Sequence, residues 1–313
     1  MPQLLLFTVL SALVDVFAGN RLQHTDPGSV AAVAFTTVGV VFCATAAART
    51  RWLALLAVAR RHSRDLLALN LATAVTWVSL LYALDWMEPA VANVVSIAIG
   101  PAFTVIMQAL WLRGDRMPAG QIAAAGGILV VLALLIASSI AGYSAVGHHR
   151  AALLGAGAAA AVVSGAASAA TLVFSARLSA AGLDVRTVLG LRFPLVAVAG
   201  WVLVALSGGR RLGPAVTTGL VVAVIGVALP ALLIQLGIRR VTPLTASMII
   251  TLAPAVTLLL QLADPRLAFS PRSTVGIAVI TVLIGLGLLT RRDGRRARRP
   301  EQEEEEQHAL HPC

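Results

Sequence analysis

The sequence predicts an all-α integral membrane protein of ten transmembrane helices, arranged as two inverted five-helix repeats. The first observation is composition, because 58% of the 313 residues are hydrophobic, 12% are charged and the mean hydropathy is +0.87. Soluble domains are about half apolar and about a quarter charged. A bilayer core about 30 Å thick needs about 20 apolar residues per helix, and the chain supplies runs of that length.

The second observation is an internal duplication centred on residues 89–118, whose copy lies 153 residues further along. A proline in the middle of an apolar run and a glutamine seven residues later are costly choices in a membrane helix, so composition alone does not explain their repetition. The recurring residues are Ile97, Pro101, Ala102, Thr104, Gln108, Arg113 and Pro118, matched by Ile250, Pro254, Ala255, Thr257, Gln261, Arg266 and Pro271.

The third observation is the distribution of arginine, which accounts for all 24 cationic residues. With ten spans and a cytoplasmic N-terminus, 17 of the 24 arginines fall on the cytoplasmic side and six outside, with Arg192 inside a span. The positive-inside rule therefore predicts that both termini are cytoplasmic. Five spans per copy make the two copies point in opposite directions across the membrane.

Residues 1–144 form the first predicted repeat and residues 151–290 the second, with a polar joint over 141–150. The charged tail 291–313 has no apolar residue pattern to bury and is predicted to be disordered. The segment 51–64 is predicted either as an interfacial helix or as a frayed helix end with a basic loop. Spans one to ten are predicted at 4–20, 28–48, 66–84, 89–112, 119–140, 152–175, 187–207, 215–237, 243–263 and 273–290.

Span four carries small and polar residues at three- and four-residue steps, which places them on one helix face. Such a stripe lines a cavity or bonds a neighbouring helix, and both interpretations stay open. On span six, Gly157, Ala161, Gly165 and Ala169 recur every fourth residue, a pattern that favours close helix packing. The stripe on span four consists of Asn93, Ser96, Gly100, Thr104 and Gln108, and the comparable face of span nine carries Ser247, Thr251 and Pro254.

Two charged residues lie inside predicted spans. Asp15 predicts a proton or cation site, or a carboxylate solvated near the outer end of span one. Arg192 attracts an anionic group of a solute or snorkels to the membrane surface. The residues predicted to contact a solute are Asp15, Asn70, Trp77, Asn93, Ser96, Thr104, Gln235, Ser247 and Thr251.

Pro101 and Pro254 are predicted to kink spans four and nine, because a proline within a helix removes one backbone hydrogen bond. Pro194 and Pro230 have no counterpart in the first half and are weaker candidates for that function.

Several functional classes find no support in the sequence. Adjacent histidines at His148 and His149 do not share a helix face, and two distant cysteines provide no metal spacing, so no metal or cofactor is predicted. The arginines lack interleaved aromatic residues, which argues against nucleic-acid binding. No phosphate-binding loop or hydrolase motif is found, so the chain is not predicted to be an enzyme. A membrane-embedded enzyme, a scaffold and a receptor remain the alternatives.

The chain resembles the EamA family of the drug/metabolite transporter superfamily. The likeness lies in Leu81-Tyr82-Ala83-Leu84 before Pro89 and in Ile99-Gly100-Pro101 followed by Leu112 to Asp115. The second half repeats it at Gly237, Ala253-Pro254 and the spacing of Gly276 and Gly285. The resemblance implies export of a small metabolite, amino acid or toxic compound through a cavity between the repeats. It implies a multi-pass protein of the cell membrane, the inner membrane in bacteria, and leaves the oligomeric state open.

The predicted topology is tested by cysteine labelling. A cysteine introduced by Ser144→Cys is expected to react with a membrane-impermeant thiol reagent added to intact cells, because the joint between the halves lies outside. Native Cys313 is expected to react only after the cells are permeabilised. The opposite labelling pattern would show that the orientation is wrong.

Overall fold

The computed structural model describes residues 2–50, 52–111, 119–138, 151–208, 212–238, 252–261 and 274–283, together with Pro271 and Leu286. These residues are helical apart from short turns, and none of them forms a strand. The helices are α1 (Pro2–Leu22), α2 (Pro27–Thr50), α3 (Trp52–Arg61), α4 (Ser63–Trp86), α5 (Pro89–Trp111), α6 (Ala119–Ser138), α7 (Ala151–Ala180), α8 (Val185–Gly190), α9 (Pro194–Leu206), α10 (Leu212–Val221), α11 (Leu229–Ile238), α12 (Ala253–Gln261) and α13 (Thr274–Leu283).

The helices make the chain an all-α protein of the multi-pass membrane class. Six helical stretches are long and apolar enough to cross a membrane, and two shorter apolar helices lie at Pro89–Ile99 and Thr274–Leu283. The six stretches are Pro2–Leu22, Pro27–Arg49, Ser63–Trp86, Ala152–Ala180, Val185–Leu206 and Leu212–Leu233.

Proline and aspartate mark where several helices begin. Pro27, Pro89 and Pro194 each occupy the first position of a helix, where a missing backbone N–H leaves no intrahelical bond unmade. Asp26 caps α2 by accepting from the backbone N–H of Ser29 at 2.8 Å, and Asp184 caps α8. These local signals place the helix boundaries close to those predicted from the sequence.

The segment after α2 is the helix α3, so the interpretation of residues 52–61 as a basic loop is wrong. Leu55 is buried, whereas Trp52 and Leu53 are 55% and 79% exposed. The helix ends on Arg60 and Arg61. An exposed apolar face bordered by arginines is typical of a helix that lies along a membrane surface.

The span seven predicted at 187–207 corresponds to the apolar stretch Val185–Leu206, which contains one interruption. The span is divided into α8 and α9 by Leu191, Arg192 and Phe193. Pro194 explains the division, because its ring has no N–H to donate and collides with the carbonyl group four residues earlier in a continuous α-helix. Span seven is therefore a discontinuous membrane helix.

Span eight is also irregular. Between α10 and α11, the segment Val222–Ala228 forms a π-helix, whose turns are wider than those of an α-helix. The wider turns end two residues before Pro230, which cannot donate the backbone bond that an α-helical register requires. Gly226 in this segment faces Val14 of α1, so the irregular part of span eight packs against span one.

The small residues on α7 pack as predicted. Ala161 and Ala169 are 0% and 3% exposed. A methyl group added to Gly157 would lie 3.2 Å from the Cβ of Trp86, and one added to Gly165 would overlap Ile99 and the backbone carbonyl oxygen of Ser96. This stripe therefore lets α7 approach the backbones of α4 and α5 closely.

Helix α7 runs antiparallel to α4. Its beginning lies against the end of α4, where Gly157 faces Trp86, and its last turns lie against the beginning of α4, where Arg177 and Asp65 form a salt bridge of 3.6 Å. Helix α1 ends beside the end of α4, since Gln23 Nε2 donates to the backbone oxygen of Asp85 at 2.8 Å. Consequently α1 and α4 run in one direction and α7 in the other.

The two matched prolines occupy different helix positions. Pro101 lies inside α5, which is helical from Pro89 to Trp111. Pro254 is the second residue of α12 and is buried in its first turn. A proline is tolerated in the first turn of a helix, so the predicted effect on helix geometry differs between the two positions.

The close approach at Gly165 predicts a position-specific loss of stability. Gly165→Ala is expected to destabilise the fold by about 1–3 kcal/mol, because the added methyl group collides with the backbone of α5. Gly155→Ala, on the same helix, meets nothing within 4 Å and serves as the matched control. Thermal unfolding in detergent should show a lower midpoint for the first variant only. Equal midpoints would contradict the close packing of α7 on α5.

Candidate functional site

A buried carboxylate and amide form the first polar centre, between α1 and α5. Asp15 is 5% exposed and Asn93 is 7% exposed. The Nδ2 group of Asn93 donates a hydrogen bond to Oδ2 of Asp15. This burial overturns the interpretation of Asp15 as a carboxylate solvated near the end of span one. The Oδ1 atom of Asn93 is buried and accepts no hydrogen bond among the described residues.

The helices around this centre are those with irregular backbones. Helix α1 packs against α5, α11, α12 and the π-helical segment of span eight. Val14, next to Asp15, contacts Gly226 of that segment, and Thr257 of α12 is completely buried. π-Helical turns are frequent at functional sites, and a carboxylate inside a membrane span is by default a candidate functional group.

The second polar centre is the break in span seven. Asn70 of α4 donates from Nδ2 to the backbone oxygen of Leu191 at 2.7 Å, and its Oδ1 accepts from the backbone N–H of Leu195 at 3.2 Å. A further bond runs from Nδ2 to the backbone oxygen of Leu66 at 2.9 Å. Asn70 therefore pairs backbone groups on both sides of the break, and its own polar atoms are occupied.

Arg192 lies in this break and reaches the interior of the bundle. Its Nε donates to the hydroxyl oxygen of Thr73 at 3.2 Å, and Thr73 is 0% exposed. The guanidinium carbon lies 5.6 Å from the ring centroid of Phe193. The cation is thus held between a buried hydroxyl group and an aromatic ring.

The face of α4 that meets the break continues with an aromatic residue. Asn70, Thr73 and Trp77 follow a spacing of three and four residues, which places them on one helix face. The Trp77 ring lies 5.2 Å from Phe35, and Phe35 stacks on Phe193 at 6.0 Å between centroids. The aromatic rings of α4, α2 and span seven therefore pack in one row, in which Phe35 and Phe193 are buried and Trp77 is partly exposed.

Residues 75–80 of α4 are all partly exposed. Six consecutive helical residues point in every direction around the helix axis, since about 3.6 residues complete a turn. Helix α4 also contacts α1, α2, α3, α5, α7 and α9. These middle residues are therefore less fully covered than Ala72, Thr73 and Ala74, which are buried.

Ser96 contributes to packing between helices. Its hydroxyl donates to Oγ of Ser164 on α7 at 3.2 Å, and Ser164 donates to the backbone oxygen of Thr76 at 2.9 Å. The chain of bonds joins α5, α7 and α4. For Ser96, the geometry favours the packing interpretation of the span-four stripe.

The predicted solute-contacting residues thus fall into separate groups. Asp15 and Asn93 meet directly, Trp77 contacts Phe35 of α2, and Asn70 bonds backbone groups on both sides of the break in span seven. Thr73 and Ser164 were missed by sequence reasoning, although the spacing of Thr73 from Asn70 and Trp77 could have identified it. The side chains of Thr104 and Gln235, and all of Ser247 and Thr251, lie outside the described residues.

Within the described ranges, no group of three or more His, Cys, Asp or Glu side chains can hold a metal ion. The chemistry of the two centres consists of hydrogen bonding, a carboxylate, a guanidinium group and aromatic surface.

Comparison with solved structures shows that the fold is shared with known proteins. One crystal structure matches with a TM-score of 0.61 and 21% sequence identity, over 93% of this chain and 98% of the other. At this identity the likeness establishes the fold alone. No family model matches the sequence, and no curated protein matches it.

The bonds made by Asn70 predict a strong effect of removing its amide. Asn70→Ala leaves a backbone N–H and a carbonyl group unpaired in an apolar bundle, which is expected to cost about 1–3 kcal/mol or more. Thr76→Val removes a hydroxyl group that bonds only within its own helix, to the backbone oxygen of Ala72, and is the matched control. Thermal unfolding in detergent should separate the two variants. If Thr76→Val is as unstable as Asn70→Ala, the bonds of Asn70 to the backbone of Leu191 and Leu195 do not explain the loss of stability.

Proposed function

We propose that the protein is a secondary transporter that exports a small organic solute, in the manner implied by its resemblance to the EamA family. The solute crosses by alternating access of two inverted five-helix repeats. The observation that carries the proposal is the pattern of helix packing between the halves of the chain. A small metabolite, an amino acid and a toxic compound are the candidate solutes.

The packing pattern is supported by reciprocal contacts. When spans one to five are matched with spans six to ten, the main contacts between described helices of the two halves have counterparts with the halves exchanged. The contact between α4 and α7 corresponds to the contact between α11 and α1. The contact between α5 and α7 corresponds to that between α12 and α1, and the contact between α9 and α4 corresponds to that between α2 and α10. Pairs of matched helices also meet, as α2 does with α9 and α5 with α12.

The last helices of the halves meet in the same reciprocal way. A methyl group at Gly127 of α6 would lie 3.6 Å from Leu283 of α13, and one at Gly276 of α13 would lie 2.5 Å from Leu135 of α6. The first helices of the halves, α1 and α7, run in opposite directions. Both findings support an inverted repeat, the architecture of many secondary transporters.

The irregular helices support a transport function over a purely structural one. In secondary transporters, discontinuous membrane helices expose backbone and polar groups at the solute pathway. Here span seven is broken at Arg192 and span eight contains a π-helical segment. These two spans face α2, α4 and α1, so the irregular backbone lies between the halves.

Asp15 and Asn93 are proposed to bind the coupling ion, either a proton or another cation. The carboxylate supplies the negative charge, and the buried Oδ1 of Asn93 offers an oxygen that accepts no other bond among the described residues. A carboxylate in an apolar span is costly unless it has a partner or a function. Binding of a cation neutralises it.

The proposal is tested with purified protein in liposomes that contain a panel of labelled amino acids, small metabolites and toxic compounds. Net flux of at least one solute is expected, and it should rise when a proton or sodium gradient is imposed. Cleavage of a solute would indicate an enzyme instead. Absence of both flux and cleavage over the panel would favour a scaffold or receptor.

The Asp15→Asn variant separates coupling from translocation. We expect exchange of solute between the two sides to persist, while gradient-driven accumulation falls at least tenfold, because a neutral amide cannot exchange a proton or bind a cation as a carboxylate does. Asp65→Asn is the control, since this carboxylate is 34% exposed and pairs with Arg177 at the beginning of α4. Full accumulation by the Asp15 variant would remove this residue from the coupling site.

A further inference from the structure

The guanidinium group of Arg192 has unused hydrogen-bonding capacity inside a membrane span. Arginine presents five N–H donors in a planar fork. Among the described residues, its one hydrogen-bond acceptor is the hydroxyl of Thr73, which bonds Nε. The two terminal nitrogen atoms thus have no acceptor in the described part of the bundle.

The described residues also provide no counterion. The salt bridge among the described residues joins Arg177 to Asp65, and no carboxylate of this part of the chain forms a salt bridge with Arg192. A cation in a membrane span is costly without an anionic partner or contact with a polar pathway. An anion that arrives from solution would supply that partner.

The orientation of the group suits a planar anion. The Nε bond to Thr73 and the contact with the Phe193 ring restrict the plane of the guanidinium group. With one edge engaged, the edge formed by the terminal nitrogens is left to donate two parallel hydrogen bonds. A carboxylate accepts such a pair, and the pairing is specific for its geometry.

The aromatic residues near Arg192 further restrict the class of solute that fits the site. Trp77 lies one turn beyond Thr73 on the same face of α4, and it is the partly exposed end of an aromatic row with Phe35 and Phe193. Phe35 and Phe193 are buried, so an apolar group attached to the carboxylate would pack against the Trp77 ring. A small, strongly hydrated anion such as inorganic phosphate would gain nothing from it.

We propose that Arg192 binds the carboxylate of the transported solute, and that the aromatic surface beside Trp77 receives its apolar body. The inference rests on the proposed transport function and narrows the solute to organic carboxylates that carry an apolar group. The hydrogen bonds of Asn70 to Leu191 and Leu195 then position the break in span seven, and the bond of Thr73 to Nε orients the guanidinium plane of Arg192.

Matched acid and amide probes test this inference. The pairs are phenylacetate with phenylacetamide, leucine with leucinamide, and phenylalanine with phenylalaninamide. Equilibrium dialysis with the full-length protein in detergent should show at least one acid bound about tenfold or more tightly than its amide, the effect expected of a hydrogen-bonded charge. If no acid binds more tightly than its amide, the inference is overturned.

Three variants assign the preference to Arg192. Arg192→Gln should abolish it, and Arg192→Lys should keep part of it, because lysine retains the charge without the fork. Arg186→Gln, at an exposed arginine of α8 outside the break, is the control and should bind like the wild type. An acid preference that survives in Arg192→Gln would place the anion site elsewhere.

A fourth variant tests the same site while Arg192 is retained. Thr73→Asp introduces a carboxylate of similar size beside Nε of Arg192, and this internal anion should remove the acid preference while thermal unfolding shows a folded protein. Thr73→Val should reduce the preference only partly, because it loosens the guanidinium plane without neutralising it. A full acid preference in Thr73→Asp would contradict the assignment.

The outcomes separate this inference from the transport proposal. Acid-selective binding that depends on Arg192, without flux in liposomes, would support the site and reject transport. Flux that does not distinguish acids from amides would support transport and reject the site.

Discussion

The requirement that backbone polar groups be paired within an apolar bundle is the constraint on which the rest of this structure depends. Pro194 interrupts span seven and frees backbone groups that lipid cannot satisfy. Asn70 pairs the Leu191 carbonyl and the Leu195 N–H, so one side chain of α4 makes the interruption tolerable. Because the break persists, Arg192 can turn toward Thr73 instead of following a regular helix.

Close helix contact through small residues is the second condition of the fold. The stripe on α7 brings its backbone against α4 and α5, and Gly200 of α9 similarly faces the backbone of Ala32 on α2. These contacts leave no room for added side chains, whereas residues 75–80 of α4 remain partly exposed.

The two polar centres are built from different helices. Asp15 of α1 bonds Asn93 of α5, whereas Arg192 of span seven bonds Thr73 of α4. A solute that contacts Arg192 and an ion that contacts Asp15 would therefore use different side chains.

The sequence by itself determined the helical membrane class, the start of span four at Pro89, the start of span two to within one residue and the packing stripe of α7, because hydropathy and small-residue spacing are local properties. It also singled out Asp15, Asn93 and Arg192 as polar groups in apolar spans. Only the tertiary structure decided that Asn93 bonds Asp15, that Asn70 caps another helix and that Ser96 packs. The reason is that these partners lie 68 to 125 residues apart in the chain, a separation that no local pattern encodes.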